Sequence, residues 1–206
     1  MNIKIEWEGK KSIKEIQNKF KKELSERAIL QATARALNDT ANRVQGHIRK
    51  EVKNSYTIKQ KYLTRASNTS KKAYPTTSGL YAEVSYSSKP IPMIGFENNA
   101  QVGKHKPITV TIMKGQSKVF RHAFAATFRS GHTGIMQAGR YEKGKFIPGR
   151  LKTNSGRVRI TELKAPSPFG MAFSEKIRPK IIKYVDGYLP GRVQFFLEQQ
   201  LKKITK

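Results

Sequence analysis

The sequence predicts an α+β fold in which long helices near both ends of the chain pack on a mostly antiparallel sheet. Two stretches, 13–24 and 30–52, repeat apolar residues at steps of three and four, as helices with one buried face do. Two later stretches, 80–86 and 108–112, alternate apolar and polar residues, which is typical of half-buried strands. The order of strand, helices, several strands and helices differs from the regular βαβ alternation of doubly wound enzymes.

The N-terminal region begins with a predicted strand over residues 3–7, where Ile and Trp alternate with charged residues until Gly9. Ser12 and Glu15 then form an S-x-x-E capping box at the start of the first helix. The helical phase slips near 25–28, which predicts either a kink or two separate helices.

A second capping box, Thr57 and Gln60, predicts a short helix from Ile58 to Ala66. The following residues, 67–79, are polar and include Pro and Gly, so we expect a linker there.

The second half of the chain contains weaker strand candidates at 120–128 and 134–137, and a last strand is expected to begin at Val158. Between them, residues 138–159 are rich in Gly, Lys and Arg and poor in apolar side chains. This composition predicts a mobile basic loop or a hairpin.

The C-terminal region is predicted to be helical. Ser167 is a good N-cap, and Pro168 suits the first helical position. Pro179 is expected to interrupt or restart that helix, and Pro190 is expected to open a final helix with an apolar face reaching Ile204.

Composition narrows the function classes. The 206 residues predict one domain, and the formal net charge of +27 predicts an anionic partner, because such a surplus repels itself unless it is neutralised. The absence of cysteine excludes disulfides, thiolate metal sites and a cysteine nucleophile. No apolar run approaches the roughly 18 residues of a membrane span, and the N-terminus lacks the pattern of a signal peptide, so we expect a soluble, non-secreted protein.

Catalytic signals are weak, and we expect no enzyme activity, no metal and no cofactor. Asp39 and Asp186 are the only aspartates, whereas a two-metal nuclease needs several converging carboxylates. The four histidines lack metal-ligand spacing. The run from Gly139 to Lys145 matches part of a phosphate loop, but Phe146 stands where Ser or Thr would hold Mg²⁺. Carboxylates distant in sequence can still converge in a fold, which leaves a composite nuclease site open.

Basic residues form two clusters that predict contact with DNA phosphates or with an acidic neighbour. The candidate DNA-facing or partner-facing residues are Lys59, Lys61, Arg65, Arg140, Lys143, Lys145, Arg150, Lys152, Arg157 and Arg159. The aromatic residues interleaved with them, candidates for stacking on bases, are Tyr56, Tyr62, Tyr141 and Phe146. Tyr62 lies at helical spacing from Ile58, which favours core packing for this residue.

The collinear order of four segments resembles the phage minor tail protein Z family, the tail-completion proteins of long-tailed phages. The segments are QATARALNDTANRVQGHIRKEV (31–52), TIKQKYLTRA (57–66), GIMQAGRYEKGKFIPGR (134–150), and ITELKAPSPFGMAF (160–173) followed by YLPGRVQFFLEQQLKKI (188–204).

The resemblance implies a structural virion protein that is assembled in the host cytoplasm and acts at the head-proximal end of the tail. It implies a role in joining the tail to the filled head and in retaining or passing DNA. The expected partners are tail tube or terminator proteins, head–tail connector proteins and the double-stranded phage DNA. A closed homo-oligomeric ring, hexameric by analogy with tail tubes, fits this role.

The alternative hypothesis is a free nucleic-acid-binding protein without sequence preference. No recognition-helix or RNA-binding signature supports base-specific readout.

Overall fold

The computed structural model describes residues 2–6, 11–64, 67–75, 80–104, 106–150 and 152–205. The helices are α1 (Lys11–Phe20), α2 (Glu26–Ser55), α3 (Gln60–Thr64), α4 (Pro168–Ala172) and α5 (Arg178–Ile204). The strands are β1 (Asn2–Glu6), β2 (Ser67–Lys71), β3 (Tyr81–Tyr86), β4 (Ile91–Pro92), β5 (Glu97–Asn98), β6 (Ile108–Met113), β7 (Gln116–Phe120), β8 (Phe124–Thr127), β9 (Thr133–Glu142), β10 (Lys145–Pro148), β11 (Ile160–Glu162) and β12 (Lys164–Ala165). The ladders between these strands are antiparallel, which confirms the predicted α+β class.

The chain divides into two compact units. The first unit consists of Met1–Glu51, Arg65–Ser88 and Phe169–Lys206. The second consists of Val52–Thr64 and Lys89–Pro168. Each unit therefore combines segments that lie far apart in the sequence.

The first unit contains α1 and α2 as separate helices, one of the two outcomes that the phase slip predicts. Ser25 precedes α2, and its Oγ accepts a hydrogen bond from the backbone N–H of Ala28 at 3.3 Å. Gln17 of α1 donates from Nε2 to Oγ1 of Thr33 in α2 at 2.9 Å, and both side chains are buried. The same hydroxyl of Thr33 donates to the carbonyl of Ile29 at 2.8 Å, so the bond from Gln17 pairs a buried amide with an acceptor on the neighbouring helix.

The apolar face predicted for α2 is buried. Leu37, Val44 and Ile48 have no exposed surface. The sheet of this unit has the order β1-β3-β2, and residues of β3 alternate between buried and half-buried positions, as the sequence predicts. Tyr86 of β3 donates from its hydroxyl to the backbone carbonyl of Gln45 in α2, at 3.4 Å.

Helix α5 runs without a break from Arg178 to Ile204, so the prediction that Pro190 opens a separate final helix is wrong. Proline removes one backbone hydrogen bond and weakens a helix interior. Tertiary packing offsets that cost, because residues on both sides of Pro190 are fully buried, namely Leu189, Val193 and Leu197. Ile204, expected on the apolar face, is 63% exposed.

The predicted positions of Pro168 and Pro179 agree with the structure, and the N-cap role of Ser167 stays a prediction. Pro168 begins α4, and Pro179 lies in the first turn of α5, after a break that follows Ala172.

Within the described residues, no helix is both long and apolar enough to span a membrane.

The second unit is built from small antiparallel sheets. Strand β9 is central to one of them, pairing with β8, β10 and β11. A second sheet has the order β5-β6-β7, and β4 pairs with β12. The candidate strand at 120–128 is interrupted, since β7 ends at Phe120 and β8 begins at Phe124.

The predicted capping box before α3 is wrong. The hydroxyl of Thr57 donates to the carbonyl of Thr111 and accepts from the N–H of Glu97 at 3.2 Å. Because tertiary partners occupy this hydroxyl, α3 begins only at Gln60, and it ends at Thr64.

The predicted linker over 67–79 is wrong for residues 67–71, which form β2 and pair with β3. Trp7 and Gly9, at the end of the predicted first strand, lie outside the described residues, as does Arg65. Ser12 lies within α1, and its side chain is also outside the description, so the first capping box stays a prediction.

Candidate nucleic-acid interface

The basic segment predicted as a loop or hairpin forms a hairpin. Strands β9 and β10 pair in register from Glu142 opposite Lys145 to Gly139 opposite Pro148. The connection consists of Lys143 and Gly144, with φ angles of 46° and 79°. Two-residue turns with positive φ at both positions match the twist of antiparallel strands. The run from Gly139 to Lys145, which matched part of a phosphate loop, therefore consists of the end of β9, the two-residue turn and the first residue of β10.

Gly139 permits β9 and β10 to approach closely. Its φ is 151°, and a Cβ built at this position would lie 2.4 Å from the carbonyl oxygen of Ile147 and 2.6 Å from the ring of Phe146. Only glycine fits such a site without a shift of the backbone. The N–H of Gly139 donates to the carbonyl of Arg159 at 3.1 Å, which ties the hairpin to the segment before β11.

A second turn follows the hairpin. Lys152 forms a bridge with Val158, and the N–H of Thr153 donates to the carbonyl of Arg157 at 2.7 Å. Gly156 completes the turn with a φ of 75°. We call residues 140–150 and 152–159, which include both turns, the basic hairpin.

The basic hairpin has a large excess of exposed positive charge. Its cations are Arg140, Lys143, Lys145, Arg150, Lys152, Arg157 and Arg159, and all seven are exposed. Glu142 is the single carboxylate of this segment, and it forms a surface ion pair with Arg140. Such an arrangement can bind phosphates through charge and hydrogen bonds without reading bases.

The other predicted cations lie on different elements. Lys59 donates from Nζ to the carbonyl of Ile94 at 2.8 Å, and Lys61 places its Nζ 5.2 Å from the ring centre of Tyr62. Arg65 lies outside the described residues. The structure therefore groups seven of the ten predicted residues on one segment and holds Lys59 and Lys61 in local contacts.

The interleaved aromatic residues contact other groups of the protein, and Tyr62, Tyr141 and Phe146 are half-buried. Tyr56 is buried, and Tyr62 packs on Gly95, as its spacing predicts. Tyr141 and Phe146 pack edge to face, with ring centres 5.3 Å apart. Base stacking on Tyr56 is excluded by its burial.

A cleft of about 550 Å³, which the sequence did not predict, is lined in part by the basic hairpin. Its charged lining residues are Lys118, Arg121, Lys145 and Lys164, and its described lining contains no carboxylate. Apolar lining is supplied by Met93, Ile112, Val119, Phe120, Phe146 and Leu163. We call this site the cationic cleft. Its four cations come from three separate parts of the chain, so no local sequence signal reveals it.

Two polar groups line the cationic cleft. Tyr141 accepts a hydrogen bond at its hydroxyl from the N–H of Lys164, at 2.7 Å. Burial raises the pKa of Tyr141 above its ordinary value, while the bond to Lys164 acts in the opposite direction. The Oε1 atom of Gln137 is buried and has no hydrogen-bond partner within the described structure.

Acidic side chains elsewhere take structural partners. Asp39 accepts a hydrogen bond from the hydroxyl of Tyr188 at 2.9 Å, and Nε of Arg192 lies 2.8 Å from the same oxygen as an ion pair without hydrogen-bond alignment. Burial, then this bond to Asp39, raises the pKa of Tyr188. Glu162 lies 2.6 Å from Nε2 of His132. Among the described residues, no group of three potential metal ligands occurs.

The model of one protein family, prophage minor tail protein Z, matches residues 13–206. The chain belongs to this family. Membership identifies it as a structural phage tail protein and therefore as a component of the virion. No curated protein and no solved structure matches the chain.

Proposed function

We propose that this member of the minor tail protein Z family completes the head-proximal end of the tail and contacts the phage DNA through its basic hairpin. The observation that carries the proposal is the set of seven exposed cations beside a single carboxylate on one turn-rich segment. In a tail, DNA phosphates would offset this charge without any need for base recognition.

A closed ring is the assembly that suits this role. Identical subunits of a tube end can close through head-to-tail contacts, and a hexamer would match the symmetry of tail tubes. Such a ring would bring many copies of the basic hairpin around one duplex. The net charge of +27 per chain makes association without a polyanion or an acidic neighbour unfavourable. The neighbours that we propose are tail tube or terminator proteins and head–tail connector proteins.

The test is the double substitution Arg150→Glu with Arg157→Glu, compared with Arg27→Glu and Lys50→Glu. Both double variants change the charge equally, but the control pair is exposed on α2. Phage carrying the hairpin variant should assemble particles that lose DNA or fail to join heads to tails, whereas the control should assemble normally.

Binding of the purified protein to a DNA duplex gives a second measurement. The slope of log affinity against log salt should become less negative by about 2 in the hairpin variant, because about one counterion is released per phosphate contact. Normal particles from the hairpin variant would refute DNA contact by the basic hairpin. Strong DNA binding by a chain that never joins tails would favour the alternative, a free nucleic-acid-binding protein.

A further inference from the structure

We infer that the cationic cleft binds an extended acidic segment of a second virion protein. This inference rests on the chain's membership of a tail protein family but not on DNA contact by the basic hairpin.

The lining of the cationic cleft selects an acidic ligand that also carries apolar side chains. Lys118, Arg121, Lys145 and Lys164 are exposed around it, and its described lining has no carboxylate. Between the cations lie Phe120, Phe146 and Leu163, among others, so the cleft is apolar inside. Double-stranded DNA presents phosphates but keeps its bases stacked, and it would leave this apolar surface unfilled.

A second copy of the same chain is a poor occupant. Each copy carries a net charge of +27, with only 14 acidic residues against 41 basic ones. Cations around the cleft would repel such a surface, whereas an acidic segment of another protein is electrostatically complementary.

The edge of a sheet adjoins the cleft, which favours an extended ligand. Three consecutive residues of β7, 118–120, line the cleft together with Arg121 just after the strand, although neighbouring residues of a strand point to opposite faces. The cleft therefore follows the edge of β7 rather than one of its faces. Among the described strands β7 pairs with β6 alone, so its other edge can accept a strand from a partner.

The experiment uses the full chain and a fluorescein-labelled peptide of ten residues in which Glu alternates with Val and Phe. A control peptide keeps the Glu residues but has Ser in place of Val and Phe. Fluorescence anisotropy should show the first peptide binding at least about tenfold more tightly, because only its apolar side chains can fill the cleft.

The variant Lys118→Glu with Arg121→Glu should weaken binding of the first peptide by about tenfold or more, because two attractive charges become repulsive. The matched control is Lys106→Glu with Lys114→Glu, since both lysines are exposed and neither lines the cleft. The control should change the affinity by no more than about twofold. Circular dichroism of both variants verifies that the fold is kept.

Equal binding of the two peptides, or equal losses in the two double variants, would overturn the inference. A chain that binds duplex DNA through the basic hairpin but neither peptide would overturn this inference alone. A chain that binds the first peptide in the cleft but shows no hairpin-dependent DNA binding would overturn the DNA role and leave the inference standing.

Discussion

Gly139→Ala tests whether the close approach of β9 and β10 holds the basic hairpin in place. The added Cβ would lie 2.4 Å from a backbone oxygen of Ile147, which cannot move aside as a flexible side chain would. Forcing alanine to a φ of 151° costs about 1–3 kcal/mol. Relieving the overlap with Ile147 and Phe146 adds about 1–3 kcal/mol. We therefore expect the free energy of unfolding to fall by about 2–6 kcal/mol.

The matched control is Gly131→Ala, in the turn between β8 and β9. Gly131 also has a positive φ, 76°, but a Cβ there meets nothing within 4 Å. The control therefore carries only the backbone cost of alanine in a left-handed conformation, about 1–2 kcal/mol.

The assay is urea unfolding followed by circular dichroism on the two variants and the parent chain. DNA affinity is measured in parallel. A lower affinity of the Gly139→Ala variant would indicate that the cations of the basic hairpin no longer share one surface. A cost for Gly139→Ala no larger than that for Gly131→Ala would refute the close-packed arrangement of β9 and β10.

Two further predictions concern the first unit. Leu37→Asp should prevent folding, because Leu37 has no exposed surface and the carboxylate would be buried without a partner. The control Leu37→Met should lower the free energy of unfolding by less than about 1.5 kcal/mol. Soluble yield and circular dichroism distinguish the two variants, and a folded Leu37→Asp variant would contradict the buried position. Tyr188→Phe should cost about 1 kcal/mol at neutral pH by removing the hydrogen bond to Asp39. Because the pKa of Tyr188 is raised in the folded chain, its contribution is complete below the unfolded value of 10.0 and declines as pH rises through the folded pKa. Urea titrations on both sides of that pH should therefore show a smaller alkaline loss of stability in Tyr188→Phe than in the parent, and an equal loss would contradict the role given to this hydroxyl.

Sequence patterns predicted the helices and strands that are determined by residues a few positions apart in the chain. Apolar residues repeat at steps of three and four along α2, and apolar and polar residues alternate in β3. Both patterns predict which side of the element is buried, and the structure confirms both. Pro168 and Pro179 were placed correctly because proline suits the first turn of a helix whatever surrounds it. The collinear segments also predicted the family, and the match of the family model to residues 13–206 confirms that prediction.

The wrong predictions lie where distant parts of the chain compete with a local signal. Thr57 has the spacing of a helix cap, but Thr111, 54 residues away, takes its hydroxyl. Pro190 carries a helix-breaking signal, but the buried side chains around it keep α5 continuous. Residues 67–71 have a linker-like composition, but pairing with β3 makes them a strand.

The candidate sites divide in the same way. The cations of the basic hairpin lie close together in the sequence, so composition alone predicts an anionic partner for this segment. The cationic cleft joins Lys118 to Lys164 across strands that meet only in the folded chain. Local sequence determines helices, strands and the density of charge, because these depend on residues a few positions apart. Tertiary structure alone decides which charges share a surface and what apolar lining lies between them, because that depends on which strands pair and how the sheets pack.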